Sequence, residues 1–104
     1  MELKKLSLLT IIADELLKDR ICKQILLAGA TGYTYVEAEG EGARGVREDS
    51  FAGTNLKIQV ICPAPVAEEI LRWVAEHLFD NYAVIAWLSE VSVVRGAHYA
   101  KSAP

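Results

Sequence analysis

A short stretch of the chain combines the residue types that bind anions. Gly40, Gly42 and Gly45 alternate with Arg44 and Arg47 in a segment between two predicted strands. Glycines at a strand end let backbone N–H groups turn toward an anion, and each guanidinium can hold an oxyanion through two parallel hydrogen bonds. No helix follows and no Lys-Ser/Thr pair ends the segment, so it is neither a dinucleotide fingerprint nor a Walker A loop. The composition predicts a phosphate-like ligand, with a solvated connection between strands as the alternative.

Several single residues elsewhere are weaker candidates for a functional role. Arg95 closes the last predicted strand, where its guanidinium either converges on the same anion or is solvated. Phe51 follows the arginines and either anchors a partner or packs on its own subunit. His77 has no acid or nucleophile placed beside it, so we predict an ordinary helix residue. Cys22 and Cys62 are far apart and fit no metal-ligand spacing, which predicts two buried thiols.

Patterns that would indicate catalysis are missing from the sequence. It contains no Ser-His-Asp set, HExxH motif, paired-carboxylate signature or nucleophile elbow. A phosphate site without an evident base or metal cage predicts a binding protein that is not an enzyme and requires no cofactor. The formal net charge of -3, with no basic stripe, argues against nucleic acid as a partner.

The composition predicts one domain that forms oligomers. The 104 residues suffice for a single core, and 52% of them are hydrophobic although no apolar run approaches a membrane span. The excess apolar surface is most simply buried between subunits. Lys4 and Lys5 precede an apolar run as in a signal peptide, but Ser7, Thr10 and Asp14 interrupt that pattern. A cytoplasmic protein is the expectation.

Apolar periodicity predicts the element order β-α-β-β-α-β. One helix runs from an N-cap at Asp14 to a stop at Gly29, and Pro63 and Pro65 start the other. The predicted strands are residues 6–12, 33–38, 56–60 and 82–94. This order is the ferredoxin-like α+β arrangement, in which two helices cover one face of a four-stranded antiparallel sheet.

The other face of that sheet is left without a helix. The last strand is apolar on both sides, which a monomer would expose to water. Its residues are Val84, Ala86 and Leu88 on one side, and Ile85, Trp87, Val91 and Val93 on the other. Sheet faces packed together in a closed oligomer would bury them. Residues 1–95 are therefore predicted as one oligomerising domain, and residues 96–104 as a tail that is disordered or folds over a ligand.

Three segments resemble those of PII signalling proteins: GATGYT at residues 29–34, EGEGARGVR at 39–47 and FDNYA at 79–83. Within that family the chain looks most like the carbon-associated branch, which includes bicarbonate-transporter regulators and carboxysome-associated PII proteins. The resemblance implies a homotrimer with a nucleotide site between subunits. It also implies that the T-loop, at about residues 40–55, reports which ligand is bound.

The resemblance also implies roles for particular residues. Thr34 would lie near the ribose or base, Ile61 near the adenine, and Arg95 would contact phosphate from the neighbouring chain. The residues implied around the phosphates are Gly40, Gly42, Arg44 and Arg47, and Glu41 is implied as a further nucleotide-binding residue. The implied ligands are AMP, ADP, ATP or cAMP, with bicarbonate as a second anion. The implied partner is a membrane bicarbonate transporter, which would recruit the protein to the membrane, or a carboxysome-related protein.

The chain also departs from the nitrogen-type PII pattern. It lacks the Gln of the loop base and the glycine-lysine loop before the last strand, and residues 40–55 hold no tyrosine for uridylylation. The tail holds no cysteine, which argues against a redox-switched tail. Two other classes stay open: a structural or metal-tolerance trimer of the same fold, and a small enzyme acting in the cleft between subunits.

Overall fold

The computed structural model describes residues 1–40 and 54–100 and confirms the predicted element order. Four strands and two helices alternate as β-α-β-β-α-β, with a short 3₁₀ helix before the first α-helix and another after the last strand. The strands are β1 (Leu3–Asp14), β2 (Thr34–Ala38), β3 (Asn55–Cys62) and β4 (Ile85–Val94). The helices are α1 (Lys18–Leu27) and α2 (Ala64–His77), and the 3₁₀ helices are Glu15–Leu17 and Gly96–His98.

The sheet has the strand order β2-β3-β1-β4, and every neighbouring pair is antiparallel. The central strand β1 extends beyond the predicted residues 6–12 at both ends. Its N-terminal part pairs with β4 as far as Leu3, and its C-terminal part pairs with β3 as far as Asp14. Residues 3–5 are exposed, so backbone pairing with β4 rather than apolar burial keeps them in the strand, whereas Ala13 is buried in the core.

The signals predicted at both ends of the first helix are confirmed. The side chain of Asp14 accepts a hydrogen bond from the backbone N–H of Leu16 at 2.8 Å, which caps the 3₁₀ turn that leads into α1. Gly29 adopts a φ of +108° just past the end of α1, a conformation that side chains disfavour. Pro63 caps α2 in an extended conformation, as the prolines predicted.

The hydrophobic core lies between the two helices and one face of the sheet. Strands β1 and β3 contribute alternate residues to it, and each helix contributes one stripe. The sheet residues of the core are Leu9, Ile11, Ala13, Leu56, Ile58, Val60 and Cys62; the main helical ones are Ile21, Cys22, Ile25, Ala67, Ile70 and Val74. Trp73 packs against this core.

Aromatic residues fasten α1 to the edge strand β2. The rings of Tyr33 and Tyr35 stack with their centroids 6.4 Å apart. The ammonium of Lys18 lies 4.5 Å from the centre of the Tyr35 ring, and Cys22, one turn later, hydrogen-bonds with Tyr33. These contacts join the five-residue strand β2 to α1.

The last strand and the tail also differ from the prediction. The last strand begins at Ile85 rather than Tyr82, because the N–H of Tyr82 donates to the carbonyl of Leu78 at 3.0 Å and continues the turn that ends α2. The tail is ordered at its start, where Gly96 is buried in the second 3₁₀ helix. Residues 101–104 and the prediction for them lie outside the described residues. No helix in the described part of the chain is long and apolar enough to cross a membrane.

Candidate ligand-binding site

The strand registers divide the sheet into a helix-covered face and an open face. Residues opposite each other in neighbouring strands point to the same side, so the pairs Leu8–Ile61 and Thr10–Gln59 belong to one face. We define the open face by its residues Leu8, Thr10 and Ile12 on β1, Thr34 and Val36 on β2, Lys57, Gln59 and Ile61 on β3, and Ile85, Trp87 and Ser89 on β4. Neither helix covers it.

Two of the predicted nucleotide-binding residues are neighbours on the open face. Thr34 pairs directly with Gln59, and Ile61 lies two residues further along the same side of β3. Such diagonal neighbours are about 7–8 Å apart at their Cα atoms. Thr34 is exposed and Ile61 is half-buried, so a hydroxyl and an apolar side chain are both available to one ligand.

Gly40 lies just beyond β2, where the predicted phosphate-binding loop begins. It is exposed, and a Cβ added to it would meet no described atom within 4 Å. Its φ is also not in the left-handed range, so nothing in the described fold demands glycine at this position. The other residues predicted to bind the nucleotide in this loop lie outside the described residues, as does Phe51; they are Glu41, Gly42, Arg44 and Arg47.

Arg95 is at the opposite end of the subunit. β1 pairs with Asn55 at Asp14 and with Val94 at Leu3, eleven residues away. At about 3.3 Å per residue, the loop base and Arg95 are about 36 Å apart. Within one subunit Arg95 is therefore far from the loop base, and its contact with phosphate from a neighbouring chain stays a prediction. Arg95 is exposed and has a φ of 64°, which costs a non-glycine residue about 1–2 kcal/mol.

Sequence analysis missed a polar pair in the middle of the open face. The side-chain amide of Gln59 donates a hydrogen bond to the hydroxyl of Thr10 at 3.3 Å, and Thr10 is only 1% exposed. The pairing requires the register, because these residues are 49 positions apart. The only sequence signal was the alternation in β3, which places polar residues at 57 and 59 on one side.

The two thiols lie away from the open face and are buried, as predicted. Burial raises the pKa of Cys62 from its ordinary value of 9.0 to about 11. Burial also raises the pKa of Cys22, and its hydrogen bond with Tyr33 opposes that effect. Neither thiol is a nucleophile near neutral pH. Within residues 1–40 and 54–100, no three His, Cys, Asp or Glu side chains are grouped to hold a metal ion.

Residues 6–98 match the family model described as nitrogen regulatory protein P-II, and the chain belongs to that family. The sequence features that carry the resemblance, the fold and the open face all agree with this assignment. Among solved structures, a PII-like signalling protein of Thermus thermophilus is 42% identical with a TM-score of 0.83, over 95% of this chain and 99% of that one.

More distant structures share the fold. CPII of Thiomonas intermedia, bound to ADP and bicarbonate, is 22% identical with a TM-score of 0.80, over 94% of this chain and 97% of that one. The ATP complex of GlnK from Bacillus subtilis is 16% identical with a TM-score of 0.60, over 84% of this chain and 82% of that one.

Proposed function

We propose that this chain is a trimeric sensor that binds an adenine nucleotide between subunits and regulates inorganic-carbon uptake or fixation through its T-loop. The observation that carries the proposal is the adjacency of Thr34 and Ile61 on the open face, in a chain of the PII family whose glycine- and arginine-rich segment follows the other end of β2. Ile61 offers an apolar side chain for the base, and Thr34 offers a hydroxyl for the ribose or base. The loop would then bind the phosphates.

The open face supports the trimer. Ile85 is 54% exposed and Trp87 is 41% exposed in a single subunit, both on that face. Monomeric proteins rarely leave a contiguous apolar patch of this kind to water. Trimer formation also brings the Arg95 of one copy within reach of another copy's loop base, which one subunit alone does not achieve.

The proposed signal is a change in the conformation of the T-loop when the nucleotide binds. Phosphate oxygens would accept hydrogen bonds from Arg44, Arg47 and the backbone N–H groups of the glycines, and would hold the loop in one conformation. The bound conformation then differs in affinity for a partner protein. A nucleotide shifts the loop only to the extent that it binds the two loop states differently.

Bicarbonate is the proposed second ligand. The structures of Thiomonas CPII with ADP, AMP and bicarbonate support this choice, and the sequence resemblance to the carbon-associated branch points the same way. A bicarbonate transporter or a carboxysome-related protein is the proposed partner. A signalling protein of this kind requires no metal and no catalytic group, and it acts from the cytoplasm or at a transporter.

Calorimetric titration with AMP, ADP, ATP and cAMP, each with and without bicarbonate, tests the proposal. We expect micromolar binding at about one site per chain, weakened by the Arg47→Ala change. The matched control is Arg72→Ala, because Arg72 is exposed on α2 away from the open face. Bicarbonate-dependent affinity would support a carbon sensor.

Other outcomes favour the alternative classes. Absence of binding to all four nucleotides would leave an oligomeric scaffold, and binding of a divalent metal at stoichiometric level would favour a metal-tolerance protein. Nucleotide turnover that Arg44→Ala abolishes would favour an enzyme in the cleft.

A further inference from the structure

Lys57 is a cation placed among apolar neighbours on the open face. In register it lies between Ile12 of β1 and Val36 of β2, and Ile85 of β4 continues the same row. Lys57 is half-buried in the single subunit. If the open face is covered in an oligomer, its ammonium loses still more water, and a buried ammonium needs an anionic partner.

The described part of the chain supplies no such partner within the subunit. In residues 1–40 and 54–100, no carboxylate oxygen lies within 4.0 Å of the Lys57 ammonium; the ion pair found there joins Lys5 to Glu90. The strand carboxylates Glu37 and Glu90 pair with Leu56 and Ser7, which places both on the helix-covered face.

A second copy packed through the same face would present the same residues. The rows next to Lys57 hold Thr34, Gln59 and Thr10 on one side and Asn55 and Asp14 on the other. One carboxylate oxygen of Asp14 accepts the N–H of Leu16, and within residues 1–40 and 54–100 no ion pair joins Asp14 to Lys57. The missing anion is therefore best supplied by a ligand.

The position of Lys57 fits a nucleotide phosphate. Ile61, Gln59 and Lys57 follow one another along the same side of β3. Ile61 and Lys57 are four strand residues apart, which is about 13 Å. That length is close to an extended nucleoside diphosphate. With the base at Ile61, the phosphates would lie beside Lys57 and toward Asn55, where β3 meets the base of the T-loop.

We propose that Lys57 binds a phosphate oxygen of the nucleotide from the sheet side. This inference rests on the proposed nucleotide function and adds a contact that the sequence motifs did not indicate. The ammonium is a compact charge on a flexible stem, which suits a phosphate whose position shifts with the loop.

Lys57→Met tests the proposal, because methionine keeps an unbranched side chain and tolerates the apolar neighbours. Adenosine, AMP and ADP are titrated into the wild type and the variant in bicarbonate-free buffer, so that bicarbonate does not compete. We expect ADP affinity to fall about 10-fold to 100-fold, as for loss of a charge-assisted hydrogen bond, and adenosine affinity to stay unchanged. Lys57→Arg should recover most of the ADP affinity, and Lys23→Met, on the exposed side of α1, is the matched control.

The possible failures separate this inference from the proposed function. No nucleotide binding to the wild type overturns the function itself. Wild-type ADP binding that Lys57→Met leaves intact, or an equal loss for adenosine and ADP, overturns the role of Lys57 while the function stands. Lys57→Gln, which is read in the same way, replaces Lys57→Met if the methionine variant does not assemble.

Discussion

Cys62 shows how a single buried group links stability to pH. Its thiol ends β3 in the core, where burial raises the pKa from 9.0 to about 11. The folded state therefore favours the neutral thiol, so its contribution to stability is complete below pH 9 and is lost as the pH rises toward 11. The rise in pKa corresponds to about 3 kcal/mol of unfolding free energy.

We predict that wild-type stability falls more steeply between pH 8.5 and 10.5 than that of Cys62→Val, by about 1–2 kcal/mol. Urea unfolding at several pH values measures the difference. Cys22 is present in both proteins, so its own titration cancels in the comparison. Parallel pH profiles for the two proteins would show that the Cys62 thiol does not titrate with the fold.

At the residue scale, the sequence predicted the features that depend on nearby residues in the chain. The Asp14 cap and the Gly29 stop depend on neighbours within a few positions, and both are confirmed. The Gln59–Thr10 hydrogen bond and the apolar surroundings of Lys57 depend on strand register, which no local pattern encodes. The roles of Arg44 and Arg47 stay predictions, since these residues lie outside the described part of the chain.

The last 3₁₀ helix packs closely against β1 at Gly96, where there is no room for a side chain. A Cβ at this position would overlap the Cβ of Lys4 on β1. Gly96→Ala should therefore push the helix away from β1 and destabilise the protein by about 1–3 kcal/mol. Thermal or urea unfolding measures the loss.

Gly32→Ala is the control for that change. A Cβ at Gly32 meets no described atom within 4 Å, so stability should stay within about 0.5 kcal/mol of the wild type or rise slightly. Equal effects of the two changes would mean that the contact of Gly96 with Lys4 does not hold the tail in place.

At the element scale, order and type were predictable but ends were not. Alternation in β3 and the apolar stripe of α2 are strong periodic signals, and both elements form as predicted. The predicted start of β4 was wrong. Tyrosine is common in strands, but the N–H of Tyr82 donates a hydrogen bond within the turn after α2. The extra length of β1 comes from partner strands that only the fold brings together.

For the whole molecule, the open face is the feature that assembly must explain. Trp87→Lys should abolish the proposed trimer, because an unpaired ammonium at that position would be buried against another copy at a cost of several kcal/mol. Light scattering after gel filtration should give about three times the chain mass of 11.4 kDa for the wild type and a smaller species for the variant.

Leu27→Lys is the control for assembly, since Leu27 is 68% exposed at the end of α1 and is not part of the open face. It should leave the mass unchanged. A monomeric wild type, or a Trp87→Lys variant with the same mass as the wild type, would place the subunit contacts elsewhere.

The length of β1 has a consequence for the protein concentration at which the proposed sensor works. β1 keeps the loop base and Arg95 of one copy about 36 Å apart, so a nucleotide that touches both must bridge two copies. Such a ligand binds the assembled form in preference to the separate chain, and mass action then couples the two equilibria. Dilution should weaken apparent nucleotide affinity, and saturating nucleotide should resist dissociation on dilution. The response would then depend on the abundance of the protein as well as on the nucleotide supply.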